Sequence, residues 1–144
     1  MSRALLLLTL GVSVQASALP LQALAEVPGN AARGREAIVD RDRGHCLLCH
    51  RIAQIDEGFQ GNIGPPLSDV GRRLSAARLR ERIVDPTRLN PDTVMPAYHR
   101  INGLRQVADE YRGRPILSAQ EIEDVVAYLQ TLRQAPADKA ERSR

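Results

Sequence analysis

Cys46-Leu47-Leu48-Cys49-His50 is the stretch on which the reading of this chain turns. It has the form C-x-x-C-H, the attachment pattern for c-type haem. The chemistry assigns each position a task. Two thiols separated by two residues each add to one haem vinyl group, giving two thioethers. The next residue is then carried over one haem face, where His50 is expected to ligate the iron. Other readings of the same residues are weaker. A disulfide between Cys46 and Cys49 closes a very small loop and stabilises little. A thioredoxin-like pair belongs in a βαβ pattern, and no β pattern is visible. A structural zinc site needs four ligands, yet outside the motif only His45 and His99 remain.

Moving downstream, a ligating histidine needs an acceptor for its second ring N–H, usually a backbone carbonyl or a carboxylate. Gly64-Pro65-Pro66-Leu67 is a rigid loop able to present one, and the Pro65 carbonyl is the expected acceptor. The alternative is a plain Pro-Gly turn. The sixth ligand is less constrained. Met95 is the one methionine besides Met1 and sits in Pro91-Asp92-Thr93-Val94-Met95-Pro96, held between prolines. A lone methionine is commonly core filler, but a stiff loop carries this one, in a chain already needing a ligand. Met/His ligation raises the reduction potential. His99 is the rival and would lower it, while an open site would point to catalysis at iron. His45 is too close to Cys46 to reach the opposite face.

Three helices can be read around these loops. One is expected over 31–42, after Pro28-Gly29 and with Asn30 as N-cap. Its interior Gly34 costs about 1 kcal/mol relative to Ala, which makes sense if another helix crosses closely there. A second is expected over Ala76–Val84, capped by Ser75, stapled by Leu74 and Leu79 and stopped by Asp85-Pro86. The third begins at the capping box Ser118-Ala119-Gln120-Glu121. It then carries Ile122, Val125, Val126, Leu129 and Leu132 on one face. No strand or repeat is evident. The expected fold is all-α, a class I-like cytochrome c domain with long haem-wrapping loops, since long irregular loops in a compact domain usually serve a function.

The ends read differently. Arg3 followed by the apolar run Ala4 to Val14 and then Ala23-Leu24-Ala25 matches a secretory signal with an A-x-A cleavage site. The run is shorter than the roughly 20 residues that span a bilayer. The expected organisation is a signal over 1–25, a haem domain over 26–133 and a disordered tail over 134–144, small and charged with little to bury. Export to the periplasm follows, with no membrane span in the mature chain. Aromatics make up only 3% of the 144 residues, with no Trp, so large buried side chains are scarce. A buried haem would supply the missing apolar bulk. The net charge of +3 is modest and spread through mixed-sign runs such as Arg78-Leu79-Arg80-Glu81-Arg82, which usually mark a solvated helix face. Nothing resembles an interleaved basic and aromatic nucleic-acid surface.

Longer stretches are more selective than the attachment motif. The run Arg82-Ile83-Val84-Asp85-Pro86-Thr87-Arg88-Leu89-Asn90-Pro91-Asp92-Thr93-Val94-Met95-Pro96-Ala97-Tyr98 resembles the SoxX family of sulfur-oxidising bacteria. So do Tyr111-Arg112-Gly113-Arg114-Pro115-Ile116-Leu117-Ser118 and Glu123-Asp124-Val125-Val126-Ala127-Tyr128-Leu129. The likeness extends over about 34–132. It implies a monohaem subunit that pairs with a SoxA subunit in the periplasmic SoxAX complex, an L-cysteine S-thiosulfotransferase. That complex oxidatively joins thiosulfate to a cysteine of the SoxYZ carrier. The chemistry belongs to the SoxA haem, and the SoxX-like subunit passes electrons to a small acceptor cytochrome. Carried over by position, Cys46 and Cys49 attach haem c while His50 and Met95 ligate its iron. No catalytic residue is expected in this chain, because haem consumes both cysteines. The alternative is a free-standing periplasmic electron-shuttle cytochrome c with the same haem residues. Partner contact is expected near the haem edge beside Cys46 and Cys49, or along the Val94 to Tyr98 loop.

Overall fold

The computed structural model describes residues 22–134. Most of the expected signal and nearly all of the expected tail therefore lie outside the described residues. Among the described residues four α-helices form: α1 (Ala31–Val39), α2 (Val70–Arg73), α3 (Ala76–Val84) and α4 (Ala119–Thr131). Among the described residues there is no strand.

The Asn30 side chain caps α1 by accepting from the Ala32 and Arg33 amides at 2.9 and 3.1 Å. The helix stops at Val39, short of the expected end at residue 42, for a local reason. Asp40 turns extended (φ −62°, ψ 123°), and its Oδ1 accepts the Asp42 amide at 2.8 Å, a side-chain bond that competes with helix continuation. The Gly44 amide donates back to the Ala37 carbonyl and the His45 amide to the Asp40 carbonyl. His45 then takes a left-handed conformation (φ 42°, ψ 38°), and Cys46–Leu48 form one 3₁₀ turn. The turn thus delivers the attachment motif directly off the end of α1.

The end of α1 that bears Gly34 packs against α4. A Cβ on Gly34 would overlap the Asp124 carbonyl, and one on Gly29 the Glu123 carbonyl. This is the close crossing that a helix-interior glycine implied. The capping box of α4 forms as expected, with Glu121 N–H donating to Ser118 Oγ and Ser118 N–H to Glu121 Oε2. Ile122, Val125, Val126 and Leu129 are all buried. Helix α3 has its expected bounds, with Ser75 accepting from the Arg78 amide. The short α2 was not anticipated. Gly71 lets it lie against the Leu129 and Gln130 carbonyls, and the Gly71 amide donates to Leu132 O at 2.9 Å.

The 85–118 connection is pinned rather than loose. Tyr98 N–H donates to Ile83 O, and Leu117 N–H donates to Tyr98 O. A paired-charge layer lies where α3, α4 and the N-terminal segment meet. Arg80 makes two 2.7 Å bonds to the Glu123 carboxylate, and both residues are buried. The Leu24 amide adds a bond to Glu123 Oε1 at 2.8 Å, and Leu24 packs against the core. The described packing thus includes Leu24, a residue of the expected signal segment. Asp124 takes the Asn30 amide and the Arg33 guanidinium, each at 2.7 Å.

Candidate haem site

Between the motif turn, α3, α4 and the long loops lies a cavity of about 860 Å³. Its lining is largely apolar, from residues such as Leu79, Ile83, Leu117, Val125 and Leu129. The space answers the shortage of large side chains noted in the sequence: the core needs an apolar body, and the cavity has room for a macrocycle. Cys46, Cys49, His50, Pro65 and Met95 all line it. Their chemistry fits haem c, with two thiols for thioethers, an imidazole and a thioether sulfur for iron.

Both cysteines are free, so no disulfide competes for them. Cys46 is half-buried and lines the cavity, and desolvation there pushes its thiol up to about 12. It is thus a neutral thiol at neutral pH. The Tyr98 hydroxyl is likewise pushed up, by burial first and then by the negative charge that the nearby Cys46 and Cys49 would carry if ionised. It stays a donor and binds the Gly44 carbonyl at 2.9 Å, tying the 85–118 loop to the turn that carries the motif.

His50 is held from two sides. Its Nδ1 lies 2.7 Å from the Pro65 carbonyl oxygen. A carbonyl only accepts, so Nδ1 carries the hydrogen and the Nε2 lone pair is left for a metal. Against the same ring lies Gly64, where a Cβ would overlap Cε1, Nδ1 and Nε2. The Gly64 amide in turn donates to Cys49 O at 2.9 Å, locking the Gly-Pro-Pro loop to the motif. Sequence reading picked out the carbonyl but not the steric role of Gly64.

Met95 lines the cavity and His99 does not. The His99 Nδ1 is engaged instead, 2.9 Å from the Leu117 carbonyl. His45 lines the cavity beside the cysteines, on the strained turn before them. Among the described residues no three His, Cys, Asp or Glu side chains converge to hold a bare metal ion, so the zinc reading lacks its ligand set. Sequence reading also missed Arg73 and Arg82, which line the cavity. The position of Arg82 on α3, beside Ile83 and three residues after Leu79, was the available signal.

The cytochrome c family model matches residues 31–133. The chain belongs to the cytochrome c family, and its cofactor is haem c. Among solved structures it is similar to a chain of SoxXA from P. pantotrophus, at 36% identity and a TM-score of 0.73, covering 79% of this chain and 89% of that one. The SoxX likeness carried by residues 82–98, 111–118 and 123–129 therefore has structural support, which makes this chain a haem c subunit of the electron-transfer kind. The cytochrome SorU from Sinorhizobium meliloti is also similar in sequence, at 28% identity over 72% of this chain and 90% of that one, with a TM-score of 0.46. No curated protein matches the chain. Among the described residues no helix is long and apolar enough to cross a membrane.

Proposed function

We propose that this chain is the electron-accepting haem c subunit of a periplasmic SoxAX-type L-cysteine S-thiosulfotransferase, partnered by a SoxA-like cytochrome. The likeness to a SoxXA chain over 79% of the sequence carries this reading. In the overall reaction a carrier cysteine thiol on a SoxYZ-like protein and thiosulfate form one S–S bond, releasing one proton and two electrons. Catalysis lies in the partner. Haem c, held by this chain, would supply a one-electron Fe(III)/Fe(II) couple, suited to passing electrons singly from the partner to a small acceptor cytochrome.

The residues of this chain divide that task. Cys46 and Cys49 anchor the haem by thioethers, so that it is retained outside the cytoplasm. His50, oriented by the Pro65 carbonyl and the face of Gly64, would ligate through Nε2. Met95 would supply the second protein ligand to the iron, a reading supported by its place on the cavity and by the engagement of His99 elsewhere. A thioether ligand favours reduced iron and raises the potential, as an electron acceptor requires. Leu48 and Val94 also line the cavity while remaining 50% and 84% exposed, which offers a partner an apolar approach to the haem.

Two measurements test the reading. Oxidised holoprotein should show the weak far-red Met–Fe(III) band, lost in Met95→Ala and kept in His99→Ala. Its absence in the wild type removes Met95 and reopens catalysis at iron. Co-expression with a SoxA-like subunit should give a stable heterodimer that reduces this haem when thiosulfate and carrier are supplied. A monomer that ignores that subunit yet exchanges electrons with several redox proteins would instead identify a free-standing shuttle.

A further inference from the structure

The segment before α1 is held to the domain more firmly than a discarded leader requires. Leu24 lies half-buried against the core, and its amide donates to Glu123 Oε1 at 2.8 Å. The same oxygen takes Nε of Arg80 at 2.7 Å, and both of those residues are buried. Ala25 is half-buried as well. A Cβ on Gly29 would overlap the Glu123 backbone carbonyl, and the Asn30 amide donates to Asp124 Oδ1 at 2.7 Å. Residues 24–30 are thus tied at both ends, to two adjacent carboxylates of α4.

A cut after Ala25 removes the outer of these ties. It takes Leu24 off the core and a backbone donor off a buried carboxylate, and an acceptor left short of a donor is destabilising. The sequence contains a second place to cut. The apolar run ends at Val14, and after the single residue Gln15 comes Ala16-Ser17-Ala18, which has the same A-x-A form. Ala23-Leu24-Ala25 follows the run only after residues 15–22. The processing enzyme meets an unfolded chain at the membrane, so it reads sequence. The fold distinguishes the two products, because one of them keeps the contact with Glu123 and the other loses it.

We propose that the exported chain is cut after Ala18, and that residues 19–25 stay with the mature domain, where Leu24 is its N-terminal clasp. The step is a hydrolysis by a membrane-bound signal peptidase. Water adds across the Ala18–Leu19 peptide bond, leaving a carboxylate on Ala18 and an α-amino group on Leu19. The inference rests on the periplasmic location proposed above, not on the partner or the iron ligands.

The test uses the full chain, produced in a bacterial host that matures c-type haem. Holoprotein from the periplasmic fraction is sequenced from its amino terminus and weighed intact. The expected start is Leu19-Pro20-Leu21-Gln22, with the seven residues 19–25 present in the mass. A start at Glu26 overturns this proposal and leaves the location standing, whereas a precursor that stays uncut in the cytoplasm overturns both. Ala18→Arg should leave the precursor unprocessed, while Ala23→Arg, at an exposed position, should be cut as the wild type is. The reverse pattern overturns the assignment. Amide hydrogen exchange of the mature holoprotein gives a readout independent of the enzyme. The Leu24 amide should exchange markedly more slowly than that of Val27, a residue 61% exposed, and equal rates would show that no clasp exists.

Discussion

The Pro65 carbonyl oxygen stands 2.7 Å from Nδ1 of His50, with Gly64 closed against the imidazole face. Two adjacent residues thus set both the tautomer and the plane of the histidine. Second-sphere contacts of this kind typically matter about 10- to 100-fold in metal affinity.

Gly64→Ala should therefore leave the haem attached through both cysteines but turn the His50 ring away. Titration with exogenous imidazole should show the proximal position opening to competition about 10- to 100-fold more readily than in wild type. An unaltered titration would mean that the ring does not depend on this packing.

Gly34→Ala should weaken the crossing of α1 and α4, because the added methyl meets the Asp124 backbone and backbone cannot yield as a side chain can. Overpacking usually costs about 1–3 kcal/mol, and a backbone obstacle places this change at the upper end. The gain in helix propensity, about 1 kcal/mol for Gly to Ala, does not offset it. Denaturant unfolding of the holoprotein measures the difference, and a stabilised variant would contradict the crossing.

Arg80→Met should be among the most damaging single changes away from the haem. It strands the buried Glu123 carboxylate, and breaking one side of a buried ion pair costs about 3–5 kcal/mol. The Leu24 amide on the same carboxylate extends the argument to the N-terminus. A chain starting at Glu26 should be less stable than one starting upstream of Leu24 by about 1.5–3 kcal/mol, the usual worth of a hydrogen bond to a charged group. Equal unfolding midpoints for the two forms would show the contact to be idle.

Acid should loosen the same layer. Burial alone would raise the Asp124 carboxyl, but Arg33, the Asn30 amide and Gln120 bring it below its ordinary value. For Glu123 burial is likewise outweighed, by Arg80 and the Leu24 amide. Groups depressed in the folded state contribute stability that is complete above their unfolded values and is lost as pH falls through the folded ones. Stability should thus be level near neutrality and decline below the ordinary carboxylate range. Unfolding free energies measured against pH should show a shallower acid slope in Asp124→Asn.

The sequence was sufficient wherever the governing interactions are local. C-x-x-C-H specifies its chemistry within five residues, and the Ser75 and Ser118 caps bond within their own first turns, so α3 and α4 start where their side chains dictate. The end of α1 was misjudged by three residues, since Asp40 stops it through a bond to Asp42 that no apolar periodicity reveals. The four-residue α2 escaped notice for a related reason: it is too short for periodicity and rests on contacts with Leu129 to Leu132.

Where the candidate ligands and the charged side chains lie is decided by the folded chain. Met95 and His99 are only four residues apart, and either has suitable chemistry for iron. Bonds of the 85–118 loop to α3 leave Met95 on the cavity and His99 against Leu117. The arginines pose the same problem on one helix. Arg80 and Arg82 look alike in a mixed-charge run, yet one lies buried against Glu123 and the other lines the haem cavity. Residue type sets what a side chain can do. Which partner it meets depends on packing between segments far apart in the chain, and only the tertiary structure decides that.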